Sequence, residues 1–141
     1  MPAQLPPGQY QRVLAIDSDA AFLSAVKQVI ETSRCRVDCA TTAAGALAAL
    51  DRNPYDLVIS EVKMPGLDPA ELFARAEKRI AEGMQLLFLS AEPLSDELRL
   101  FLEPRRLTCL PKPLHLRRFL DKLDDLLLTA AQPPEDEEAE K

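Results

Sequence analysis

The stretch PYDLVISEVKMPGLD, residues 54–68, decides how the whole chain is read. Residues 57–60 form a short, nearly continuous apolar run, as expected of a parallel strand covered on both faces. The run stops at the acid Glu61, and Met64, Pro65 and Gly66 turn the chain. Asp68 then stands where a helix cap belongs, with Pro69 in the first turn. Leu72, Phe73, Ala76 and Ile80 follow at the 3.6-residue spacing of one helix face. A strand with a polar end, a turn and a capped helix make one βα unit.

The same alternation extends in both directions. Further strands are expected at 13–16, 36–40, 86–89 and 108–110. The first and third of these are nearly continuous in Val, Ile, Leu and Phe, and the other two are more mixed, which suits flanking positions. Helical stripes follow: Phe22, Val26, Val29 and Ile30; the Ala-rich AAGALAAL after Thr41 and Thr42, either of which offers a cap; residues 94–102, ending at Pro104; and Leu116, Phe119, Leu120, Leu123 and Leu127. Five βα units predict a doubly wound α/β fold, a five-stranded parallel sheet with helices on both faces.

Composition fits one soluble domain. The chain has 141 residues, 47% hydrophobic and 28% charged, and no run reaches the roughly 20 apolar residues a membrane span needs. MPAQLPPGQYQR lacks a cationic segment followed by an apolar one, so no signal peptide is expected and the cytoplasm is the default location. Residues 1–11 read as a disordered leader, 12–128 as the domain and 129–141 as an acidic tail or linker. Of the formal charge of −6, −4 lies in residues 135–141, leaving −2 on the rest. A body so nearly balanced has no footprint for nucleic acid. Three cysteines without CxxC spacing give neither a disulfide framework nor a zinc site, and Cys35 and Cys39 are expected to be small, partly buried hydrophobes.

Ligands of such sheets gather beyond the carboxyl ends of the strands. There the sequence places Asp17, Ser18 and Asp19 after the first strand, Glu61 after the third, Ser90 after the fourth and Lys112 after the fifth. Acids, a hydroxyl and a lysine at one edge would suit a magnesium-assisted phosphoryl site.

With VLAIDSD, YDLVISEVKMPGLD, LLFLSAE and LPKPL in this order, the chain resembles the receiver domains of bacterial two-component response regulators. The resemblance covers residues 12–127. It implies a flavodoxin-like sheet of order 2-1-3-4-5 and a cis peptide before Pro113. It implies that Asp17 matches the first of two adjacent magnesium-holding acids, that Ser18 stands in place of the second, and that Glu61 takes the place of the phosphate-accepting aspartate. Ser90 matches the conserved hydroxyl and Lys112 the conserved lysine. The aromatic switch position falls on Cys109, and a usual glycine on Pro69.

Glutamate is one methylene longer than aspartate, moving its carboxylate by roughly 1.5 Å. Displacements of about 1 Å can cost on the order of a hundredfold in rate. Ser18 also removes a hard oxygen ligand. Neither phosphotransfer nor a cofactor is therefore expected, and Asp17 and Glu61 remain only weak metal candidates. An ion pair between Glu61 and Lys112 would hold the loops without phosphate.

Two other readings compete. Asp17-Ser18-Asp19 looks like the nucleophile and acid of a haloacid-dehalogenase-type phosphatase, although Ala21 and the missing acidic motif after Lys112 depart from that pattern. Alternatively, the chain is a response regulator phosphorylated at an unusual residue such as Asp19. His115, at a helix start, is read as a surface or capping residue.

The remaining candidate is a face. Leu98 and Phe101, with Arg99, Arg105, Arg106, Arg117 and Arg118, would make a mixed apolar and arginine-rich patch. The resemblance implies that helix 4, strand 5 and helix 5 carry the partner surface, for another signalling protein, an output domain or a second copy.

Overall fold

The computed structural model describes residues 9–131. Ten elements alternate: β1 (Gln11–Ile16), α1 (Ala20–Ile30), β2 (Cys35–Ala40), α2 (Ala43–Arg52), β3 (Leu57–Glu61), α3 (Pro69–Ala81), β4 (Gln85–Ser90), α4 (Asp96–Leu102), β5 (Thr108–Pro111) and α5 (Leu116–Ala131). The strands form one sheet in the order β2-β1-β3-β4-β5, every neighbouring pair parallel. This is the expected doubly wound topology.

Burial follows strand position. Val13–Ile16 of β1, Leu57–Ser60 of β3 and Leu86–Ser90 of β4 are buried throughout, because helices cover both faces. Edge strand β2 alternates, and β5 is only partly covered. On one face α1 and α5 pack Leu23, Val26, Phe119 and Leu123 against Val13, Leu57 and Leu87. On the other, α2, α3 and α4 pack Leu50, Leu72 and Leu102 against Leu14, Val58 and Phe88. Phe88 and Phe119 are fully buried, and each stabilises the fold by roughly 1.5–3 kcal/mol through removal from water.

Local chemistry sets the helix starts. The Asp68 side chain accepts from the Glu71 amide with Pro69 at the first helical position, and Thr42, not Thr41, accepts from the Gly45 amide. Gly66 turns the loop at φ 79°, where a Cβ would come within 3.3 Å of the Ala43 Cβ. The PG turn therefore needs its glycine. The Lys112–Pro113 peptide is cis, as the resemblance implied.

Several expectations shift. In α1 the core-facing residues are Leu23, Val26 and Ile30, with Phe22 at the margin. Helix α4 starts at Asp96 rather than residue 94, because Ser95 caps it through the Leu98 amide. Gln11 already belongs to β1, and its side chain donates to the Leu127 carbonyl at 2.8 Å. Helix α5 runs on to Ala131. The boundaries read at 11/12 and 128/129 therefore cut into structured chain. The rest of the expected leader and tail, 1–8 and 132–141, lies outside the described residues. Among the described residues no helix is long and apolar enough to cross a membrane.

Candidate functional site

The turns after β1, β3, β4 and β5 converge at the carboxyl edge of the sheet. Register explains why: Ile16 pairs with Ser60, Glu61 with Leu89 and Ser90 with Pro111. The residues just past those pairs emerge side by side.

At the centre lies Lys112. Its Nζ donates to Asp17 Oδ2 at 2.8 Å and to Glu61 Oε1 at 3.3 Å. The three side chains are 15%, 1% and 17% exposed, respectively, so the ion pairs act largely out of water. Burial alone would lower the lysine pKa. The hydrogen bonds and charges of Asp17 and Glu61 outweigh it and raise the value above its ordinary 10.5. The ammonium also lies 4.2 Å from the centroid of the Phe22 ring, a cation–π contact that covers its remaining side.

Every carboxylate oxygen of Asp17 and Glu61 has a partner. Asp17 Oδ1 accepts from the Asp19 amide at 2.9 Å, and Glu61 Oε2 takes a long hydrogen bond of 3.4 Å from the Ser18 hydroxyl. Asp19 has another duty: its Oδ1 accepts from the Ala21 and Phe22 amides and caps α1. Asp17, Ser18, Glu61 and Lys112 are thus brought together, whereas the Asp19 side chain turns to its own helix.

Ser90 is engaged elsewhere. Its hydroxyl donates to the Glu92 carbonyl at 2.6 Å and accepts from the Glu92 amide at 3.2 Å. The Glu92 carboxylate pairs with Lys63, so the β3–α3 and β4–α4 loops are bridged over the edge. Cys109 borders a small cleft of about 140 Å³ with Ser90, Leu94 and Leu110. Burial pushes its thiol up to about 11. Cys35 is buried and its thiol raised likewise to about 11, but Cys39 is exposed rather than partly buried. His115 accepts from the Arg118 amide at Nδ1, capping the start of α5.

The chain over residues 13–124 matches the response regulator receiver domain model. The chain belongs to that family. The sensory/regulatory protein RpfC of Xanthomonas campestris is 27% identical over 124 residues, which span 86% of this chain but only 17% of that protein. The response regulator receiver protein CpdR of Brucella abortus is 25% identical over 126 residues, 85% of this chain and 99% of its own length. Among solved structures, a CheY-like receiver domain protein of Methanospirillum hungatei superposes with a TM-score of 0.77 at 25% identity, covering 87% of this chain and 98% of the other. The chain is therefore a receiver domain of the two-component signalling type.

Phe22, Lys63 and Glu92 were missed by sequence reasoning. Lys63 and Glu92 each stand two places beyond a strand-end site residue, Glu61 and Ser90, and that shared offset is the signal that would have found them. The expected partner patch is divided. Leu98 and Phe101 pack toward the α3 side of the core, Phe101 edge-on to Phe73 at 5.8 Å. Arg99, Arg105, Arg106, Arg117 and Arg118 are exposed. Arg105 lies over the Phe101 ring at 4.2 Å, and Arg106 closes α4 with a left-handed φ of 57°.

Proposed function

We propose that this receiver works in the cytoplasm by docking to another signalling protein, without accepting a phosphoryl group and without an enzymatic step of its own. The observation that carries the reading is the Lys112 ammonium held between Asp17 and Glu61 at 2.8 and 3.3 Å. It occupies one oxygen of each of the two carboxylates that would otherwise face a metal ion. Magnesium requires near-octahedral oxygen donors, and here the oxygens of Asp17 and Glu61 are already engaged while Ser18 offers a neutral hydroxyl. The residues present do not fit that ion.

Glu61 supports the same conclusion. In-line phosphoryl transfer depends on positioning, and its longer side chain has one oxygen against Lys112 and the other against Ser18. The Glu61–Lys112 pair anticipated from sequence forms. Ser90 nevertheless stays with Glu92, which argues for a fixed resting arrangement over mimicry of a phosphorylated one. The phosphatase reading is disfavoured because Asp17 is 1% exposed and Asp19 is bound to its cap. The cap also disfavours phosphorylation at Asp19.

Intact-mass measurement after incubation with acetyl phosphate and magnesium tests the reading. The unaltered chain is expected to gain no mass. The double variant Ser18→Asp with Glu61→Asp, which restores two acids and the shorter acceptor, is expected to gain one phosphoryl unit and shows that the assay is live. A phosphoryl adduct on the unaltered chain overturns the proposal.

A further inference from the structure

The start of α3 and the length of α4 leave a groove between them of about 480 Å³, lined by Asp68, Pro69, Ala70, Ser95, Glu97, Leu98 and Phe101. That volume falls in the range of sites that take small ligands or one or two side chains of a peptide. Its apolar lining is Pro69, Ala70, Leu98 and Phe101, with Leu98 and Phe101 only half-buried. The charged lining residues are both acids, and among the described residues no lysine or arginine lines it.

We infer that this groove, rather than the arginine-bearing side of α4 and α5, receives a short basic segment of a partner protein. Leucine-sized side chains would lie on Leu98 and Phe101, and flanking Lys or Arg residues would meet Asp68 and Glu97. This rests on the reading that the chain acts by docking, and it names the chemistry of the partner.

Three observations carry the choice. The first is charge complementarity, which favours a basic occupant and rejects an acidic one. The second is the position of Arg105. Arg105 stacks over Phe101 and Phe73 at 4.2 and 5.5 Å and lies near the α4 C-terminus, so basic residues are favoured toward Asp68 and Glu97. The third is placement. Asp68 follows the turn that begins at Glu61, and Ser95 follows the loop held by Ser90, Glu92 and Lys63. The ion pair and hydrogen bonds of that edge therefore tie together the loops that lead into both walls of the groove. Preorganisation of this kind lowers the ordering cost of binding.

The test is titration of the full ¹⁵N-labelled chain at low salt with the blocked peptide KRLLRK, and with EELLEE and KRSSRK for comparison. Saturable binding of KRLLRK, about tenfold or more tighter than either comparison peptide, with shifts centred on Ala70, Leu98 and Phe101, is the expected result. Glu97→Lys, an exposed change, is expected to weaken it about fivefold or more with the spectrum otherwise native. No saturable response, equal affinity for EELLEE, or shifts centred on Arg117 and Arg118 overturns the inference. Intact mass of the same samples after acetyl phosphate treatment reports on phosphorylation separately, so either idea can fail without the other.

Discussion

Replacing Lys112 by methionine keeps most of the side-chain volume and removes one positive charge from between two acids. Asp17 is 1% exposed and Glu61 17%, so solvent cannot readily compensate. Breaking a buried ion pair costs about 3–5 kcal/mol, because the surviving charge is stranded. Partial exposure of Lys112 and Glu61 places the expectation near the lower end, about 3 kcal/mol. At a urea m-value of about 1.5 kcal/mol/M, the midpoint falls by about 2 M, and the melting temperature by about 10 °C. Adding Asp17→Asn to Lys112→Met removes the more deeply buried of the two stranded charges and is expected to recover more than half of the loss. Completed with Asp17→Asn alone, the double-mutant cycle is then expected to give a coupling of at least about 1.5 kcal/mol. The pH dependence has a definite sign. A lysine whose folded pKa is raised contributes stability fully present below its ordinary 10.5 and lost as pH rises through the higher folded value. The unaltered protein should therefore lose stability above about pH 10.5 by an amount that Lys112→Met does not show. A Lys112→Met loss below about 0.5 kcal/mol, or no recovery with Asp17→Asn, would refute the account of the site as a buried ion-paired cluster.

Asp19→Ala should cost about 1 kcal/mol in chemical denaturation, the usual contribution of a helix cap, while leaving the response to acetyl phosphate unchanged. Arg106→Gly relieves a left-handed residue at φ 57° and should stabilise the fold by about 1 kcal/mol; a loss of stability would show that the arginine side chain matters more than its backbone. At pH 8, Cys35 and Cys109, with thiols raised to about 11 by burial, are about one part in a thousand thiolate. Mass-mapped iodoacetamide labelling should mark exposed Cys39 first, and early labelling of Cys109 would contradict its described environment.

The strand cores were legible because the central strands are apolar on both faces, and the start of α3 because Asp68 and Pro69 are local signals. The rotation of α1 was not legible. Phe22 and Leu23 both fit a helical stripe, and Phe22 is drawn to the margin by an ammonium 90 residues further along the chain. The start of α4 was misplaced because Leu94 is apolar and packs on the core without being helical, while Ser95 provides the cap. The shared edge of Asp17, Glu61, Ser90 and Lys112 followed from topology alone. Which atoms meet did not: the choice by Ser90 of Glu92 over Glu61 depends on loop geometry that no periodicity encodes.

The hydrogen bond from Gln11 to the Leu127 carbonyl has a practical consequence. It fastens the entry of the first strand to the last turns of the final helix, so the described chain enters and leaves on the side remote from Lys112. A fluorophore, surface tether or fused module attached at Gln9 or Ala131 would sit on that remote side, leaving the lysine cluster and the α3–α4 groove open to an incoming molecule.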